Sequence, residues 1–106
     1  MQSTLEIDQL SARFALGRQV TFVEGPGGLP MIELAHDQAR ATVSLYGGQV
    51  LKFQPAGAEP VLWMSEKSHF EEGRAIRGGI PLCWPWFGPS LLDDTLPNHG
   101  FVRNRM

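Results

Sequence analysis

The chain has 106 residues, 42% of them apolar and 19% charged, with a formal net charge of −2. That composition is globular, suits one domain rather than two, and excludes disorder. The charge balance gives no attraction to nucleic acid or anionic membrane, and no apolar run approaches the roughly 20 residues needed to span a bilayer.

Read in chain order, Ser3-Thr4-Leu5-Glu6 has capping-box form. Ile7, Leu10 and Phe14 follow at helical spacing, and Gly17 stands where a helix would stop. The spacing predicts one amphipathic helix over residues 4–15. Beyond Gly17 the period changes to two. Val20-Thr21-Phe22-Val23 reads as a strand closed by Gly25-Pro26-Gly27-Gly28, and Met31, Ile32 and Leu34 make a second strand ended by a turn at His36-Asp37. Ala41-Thr42-Val43-Ser44-Leu45 alternates apolar and hydroxyl residues. Gly47-Gly48 then breaks the chain before Val50-Leu51-Lys52-Phe53. Pro55 to Ala58 reads as a hairpin loop leading to a further strand at Val61-Leu62-Trp63. Short strands separated by Gly/Pro turns predict an all-β, antiparallel sandwich or barrel with a modest core that buries roughly two-thirds of the extended surface. The segment Leu82 to Gly88 packs Trp84, Trp86 and Phe87 around Pro85, a composition that suits a pocket lining better than a central strand. No turn or polar tail closes the chain at Met106, and five short strands would leave open edges through which self-association is expected.

Two clusters could bear chemistry. In Arg77-Gly78-Gly79-Ile80-Pro81 an arginine fork suited to phosphate or hydroxyl oxygens precedes two residues that let backbone approach a ligand. The structural alternative is Arg77 paired with Glu71 or Glu72 beside a glycine bulge. In Pro97-Asn98-His99-Gly100-Phe101-Val102-Arg103 an amide, an imidazole and a guanidinium surround a glycine. If Phe101 opens a strand, it shares one face with Arg103. The remaining polar groups read as structural: His36 as a turn residue, His69 and the pair Glu71-Glu72 as solvated loop, Asp93-Asp94 as loop or helix cap. The single Cys83 excludes a disulfide framework and reads as a buried, inert thiol. Histidines 33 and 30 residues apart without a cysteine partner make no zinc pattern, and no metal site is expected. The acidic, weakly apolar start fits no signal peptide, so the cytoplasm is the expected compartment.

Together, Arg77-Gly78-Gly79-Ile80-Pro81, the aromatic-Pro-aromatic-Phe-Gly run after it and His99-Gly100-Phe101-Val102-Arg103 resemble the hexose-6-phosphate mutarotases. These glucose-6-phosphate 1-epimerases belong to the galactose-mutarotase-like superfamily of aldose 1-epimerases. Leu45-Tyr46-Gly47-Gly48-Gln49-Val50 resembles the family's strand–Gly–strand element, and the likeness runs through most of residues 20–105. The resemblance implies that residues 1–106 form the N-terminal part of a single large antiparallel β-sandwich. It implies interconversion of the α and β anomers of an aldohexose 6-phosphate, without metal or organic cofactor. It further implies that Arg77 binds substrate through its phosphate, and that Asn98 (where relatives often carry glutamine), His99 and Arg103 contact the sugar. The catalytic histidine and glutamate of the family lie downstream of Met106, so the 106 residues alone are expected to bind but not to catalyse. The partner implied is a small sugar phosphate. Two other readings stay open: a non-catalytic sugar-phosphate-binding module, and a structural β domain whose arginines merely pair with surface acids.

Overall fold

The computed structural model describes residues 4–106 and begins with helix α1 (Thr4–Phe14). Ser3, and with it the expected capping box, lies outside the described residues. Ile7 is buried, and the Phe14 ring lies 6.5 Å from that of Phe22, so the apolar stripe holds the helix against the first strand. Gly17, at φ +53°, lets the chain reverse, and paired hydrogen bonds between Leu16 and Val20 close the turn.

Four strands follow as an antiparallel meander in the order β1 (Val20–Glu24), β2 (Pro30–Ala35), β3 (Ala39–Ser44) and β4 (Gln49–Pro55). The antiparallel sheet expected from the alternating pattern is therefore present. Its links are short for local reasons. His36 and Ala39 exchange backbone hydrogen bonds around a two-residue loop, and the His36 Nδ1 accepts from the Gln38 N–H. No helix among the described residues is long and apolar enough to cross a membrane.

Strand register sorts the side chains into two faces. One face carries the rows Val20–Leu34–Ala41–Phe53 and Phe22–Ile32–Val43–Val50, all apolar. The other carries Thr21–Glu33–Thr42–Lys52 and Val23–Met31–Ser44–Gln49. The deeper burial belongs to the second face, hydroxyls included, because the chain after β4 folds back over it. Leu29, Met31, Tyr46, Leu51 and Ile76 form the core there, with Met64 and Phe70 packed against it. Thr42 donates to the Glu33 carboxylate at 2.9 Å, which satisfies its buried hydroxyl, whereas Ser44 Oγ is buried without a hydrogen-bond partner. A register shift between Thr42 and Val43 is a bulge that allows Leu51 to join this core.

After β4 the structure departs from expectation. Val61-Leu62-Trp63 is not a strand: Val61 N–H reaches the Phe53 carbonyl at 2.9 Å, but Pro60 before it has no N–H to extend a ladder. The chain is tied back instead by isolated bridges, Met64 to Gly78, Val50 to Ile80 and Trp84 to Gly100. Phe101 opens no strand either. Val102–Asn104 is a 3-10 turn, so Phe101 and Arg103 do not alternate on a shared sheet face. The cause is close contact: a Cβ on Gly47 would lie 2.8 Å from the Arg103 carbonyl oxygen, and Gly47 N–H bonds to the Arg105 carbonyl. Cys83 is half-buried, not sealed in the core, because its run lies on the surface with Trp84 and Phe87 exposed.

Candidate functional site

The Arg77 segment lies along the start of β4. Arg77 N–H donates to Ser68 Oγ at 3.0 Å, and its carbonyl accepts from Ser65 N–H at 3.0 Å. On the opposite edge the buried Gln49 carboxamide donates to the carbonyls of Ile76 (3.1 Å) and Gly78 (2.6 Å). The two glycines allow this approach. A Cβ on Gly79 would stand 2.1 Å from the Val50 carbonyl oxygen, and Gly79 lies at φ +65°. Once past it, Ile80 N–H bonds to that same carbonyl at 2.8 Å. With its peptide held on both edges, the exposed Arg77 side chain joins Lys67, His69 and Arg74 around a cavity of about 470 Å³. Of the two acids that could have neutralised it, Glu71 pairs instead with Arg74 at 3.1 Å. His69, read from sequence as solvated loop, therefore lies in the same groove as Arg77. Its separation from Arg77 by residues 70–76 hid that neighbourhood.

The second cluster is interlocked with the aromatic run. His99 adopts φ +67°, which a histidine tolerates better than most side chains, and this turns its ring back toward residue 88. Its N–H donates to the Gly88 carbonyl (2.8 Å), and its Nδ1 accepts from the Gly88 N–H (2.9 Å). With Nδ1 accepting, the ring proton sits on Nε2, which is left as a donor. The ring also lies 4.9 Å from Phe87. Trp86 Nε1 donates to the Pro97 carbonyl (3.0 Å), and its ring meets Phe101 edge-on at 5.0 Å. A Cβ on Gly100 would fall 2.0 Å from the Trp84 carbonyl oxygen, so only glycine permits this closure. Asn98 is exposed at the tip of the unit; Arg103 is half-buried at its base, with Nε buried and without a hydrogen-bond partner.

Tyr46 joins the two clusters. It is buried, accepts the Gly73 N–H at 2.9 Å, and donates to Asn104 Oδ1 across a long 3.5 Å. Burial pushes its phenol above the usual value; the Gly73 N–H opposes this, the Glu72 charge adds to it, and the Arg103 charge opposes it. Asn98, His99 and Arg103 thus share one loop segment, and Arg77 lies in a separate basic groove linked to that segment through Gly73, Tyr46 and Asn104. Neither Tyr46 nor Gln49 stood out as a site residue in the sequence. A buried polar side chain beside a Gly-Gly turn was the only signal, and burial is not visible there.

Comparison with known proteins adds the following. The aldose 1-epimerase family profile matches residues 30–106, a range containing Arg77, Asn98, His99 and Arg103. An Escherichia coli (strain K12) protein provisionally named glucose-6-phosphate 1-epimerase is 50% identical over 76 residues, which make up 72% of this chain and 26% of that one. A protein of Cenchrus ciliaris with the same provisional name is 42% identical over 84 residues, 78% of this chain and 25% of that one. The crystal structure of a provisionally named mutarotase from Salmonella typhimurium superposes with a TM-score of 0.78 at 38% identity, covering 94% of this chain and 34% of that one. The chain spans about a quarter of the length of the curated relatives it matches.

Proposed function

The chain belongs to the aldose 1-epimerase family, and from that premise we propose that it carries the substrate-binding part of a hexose-6-phosphate mutarotase, an isomerase that interconverts the anomers of a sugar such as glucose 6-phosphate. The observation that carries the phosphate half of this reading is the basic groove. In a chain of net charge −2, Lys67, His69 and Arg77 line one cavity together with Arg74, which is paired with Glu71. Their common ligand chemistry is an oxyanion, for which the Arg77 fork offers paired N–H donors. The other cluster suits a polyol: the Asn98 amide, the His99 Nε2–H and the Arg103 guanidinium are all hydroxyl-binding groups.

Anomer exchange needs one group to take the O1 proton and another to protonate the ring oxygen; the opened aldehyde then turns about C1–C2 and recloses. His99 is a poor candidate for the proton-accepting role, because its Nδ1 already accepts the Gly88 N–H and Nε2 carries a proton. In this reading it orients the sugar, and the acid–base pair is supplied by parts of the family fold outside these 106 residues.

The test is calorimetric titration with glucose 6-phosphate and glucose at two salt concentrations, followed by magnetisation exchange between the anomers in the protein expressed from its own gene. The phosphate ester should bind at least about tenfold tighter, a preference that shrinks with salt, and Arg77→Ala should abolish it. Equal affinity for the two sugars would rule the phosphate reading out. Binding without faster anomer exchange would leave a non-catalytic sugar-phosphate module.

A further inference from the structure

We infer that Gln49 is the positioning residue for Arg77: its buried carboxamide takes the place of a neighbouring strand and sets where the guanidinium enters the basic groove. This rests on the phosphate reading of that groove and deepens it. The carbonyls of Ile76 and Gly78 flank Arg77 in the chain and both receive a proton from Gln49 Nε2, at 3.1 and 2.6 Å. The N–H and carbonyl of Arg77 itself engage Ser68 Oγ and Ser65 N–H. Alternate residues are therefore bonded to opposite sides, as in the middle strand of a sheet, yet on one side a single side chain does the work of a strand. The Arg77 side chain is left to project from a peptide pinned on both edges.

Gln49 is suited to this by chemistry and by place. A carboxamide has two N–H donors, enough for two carbonyls, and neither a carboxylate nor a hydroxyl can supply both. It is the first residue of β4, 1% exposed, and sits opposite Ser44 in the register. Burial makes the Ile76 bond costly to break, because that carbonyl would be left unsatisfied away from water. One residue later, Val50 receives the Ile80 N–H, so the whole span from Ile76 to Ile80 is docked on two consecutive residues of β4.

The experiment is a double-mutant cycle in the protein expressed from its own gene, reading affinity for glucose 6-phosphate and for glucose in wild type, Gln49→Asn, Arg77→Ala and the double variant. Gln49→Asn keeps the amide but withdraws it by one methylene. It should weaken glucose 6-phosphate binding about tenfold, leave glucose binding unchanged, and add nothing to Arg77→Ala. Equal losses for both sugars, or independent addition in the double variant, would show a merely structural role and overturn the inference. No loss in Arg77→Ala would instead overturn the phosphate reading beneath it. A wild-type measurement guards against variants that fail to fold: the Gln49 side-chain amide resonances should shift on adding glucose 6-phosphate but not glucose, and resonances that stay put with both sugars would sink the assignment.

Discussion

Tyr46 shows how one side chain joins distant parts of this chain. Its hydroxyl receives the Gly73 N–H and faces Asn104, 58 residues away from Tyr46. Tyr46→Phe leaves the Gly73 donor unpaired and should cost about 1–2 kcal/mol at neutral pH, read from urea unfolding. The sign of its pH dependence follows from the raised phenol. Above the ordinary value of 10.0 the unfolded chain loses this proton more readily than the folded one, so the wild type loses stability as pH rises through the folded value. The gap between wild type and Tyr46→Phe should therefore narrow above pH 10; a gap that widens there would contradict the burial of the phenol. His99 offers a second test at this scale. His99→Ala and His99→Gly both remove the Nδ1 bond to Gly88 and the ring contact with Phe87, but only alanine leaves a Cβ at φ +67°, so the alanine variant should be less stable by about 1 kcal/mol.

At the scale of elements, the decisive joint is where the Arg77 segment meets β4. Gly79→Ala drives a Cβ to 2.1 Å from backbone that cannot swing aside, and should cost more than about 2 kcal/mol. Gly17→Ala is the matched control. It also sits at positive φ, but nothing lies within 4 Å, so only the conformational cost of about 1 kcal/mol applies. Similar losses for the two in thermal or urea unfolding would mean that the segment does not dock on β4 as described. The sheet register has its own lesson. The eight apolar residues in the rows through Phe22 and Phe53 look from sequence like the buried face, yet the chain after β4 covers the other one. That segment contributes Ile76, Met64 and Phe70 to a face of mixed polarity, and it does so with hydrogen bonds from Gln49 to supply what apolar contact does not.

For the molecule as a whole, the exposed surface is 7463 Å², against about 5,900 Å² for a compact protein of this mass. The radius of gyration, 15.0 Å, likewise exceeds the roughly 13 Å of a compact chain this long. The expectation that two-thirds of the extended surface would be buried is therefore not met. Trp63 is 72% exposed, Phe87 81% and Leu91 98%, far more large apolar surface than a monomer usually leaves in water. Prepared as these 106 residues, the protein should self-associate as concentration rises, seen as increasing weight-average mass in sedimentation equilibrium. A constant mass of 11.7 kDa would mean that this apolar surface is harmless in water.

Period and turn chemistry determined much of this from sequence alone. A helix beginning near residue 4, four strands with their Gly/Pro turns, and the antiparallel class are local properties, set by which side chains alternate and where the backbone must reverse. The ordered motifs around Arg77 and His99 likewise identified the family, because they are contiguous in the chain. Tertiary structure alone decided which sheet face is covered, that Phe101 opens no strand, and that His69 and Arg74 share a groove with Arg77. It also decided that Gln49 bonds to Ile76 and Gly78, and Tyr46 to Gly73 and Asn104. The bonds of Gln49 and Tyr46 join residues 27 to 58 positions apart, and a short-range pattern carries no information about which distant donor will meet which buried carbonyl.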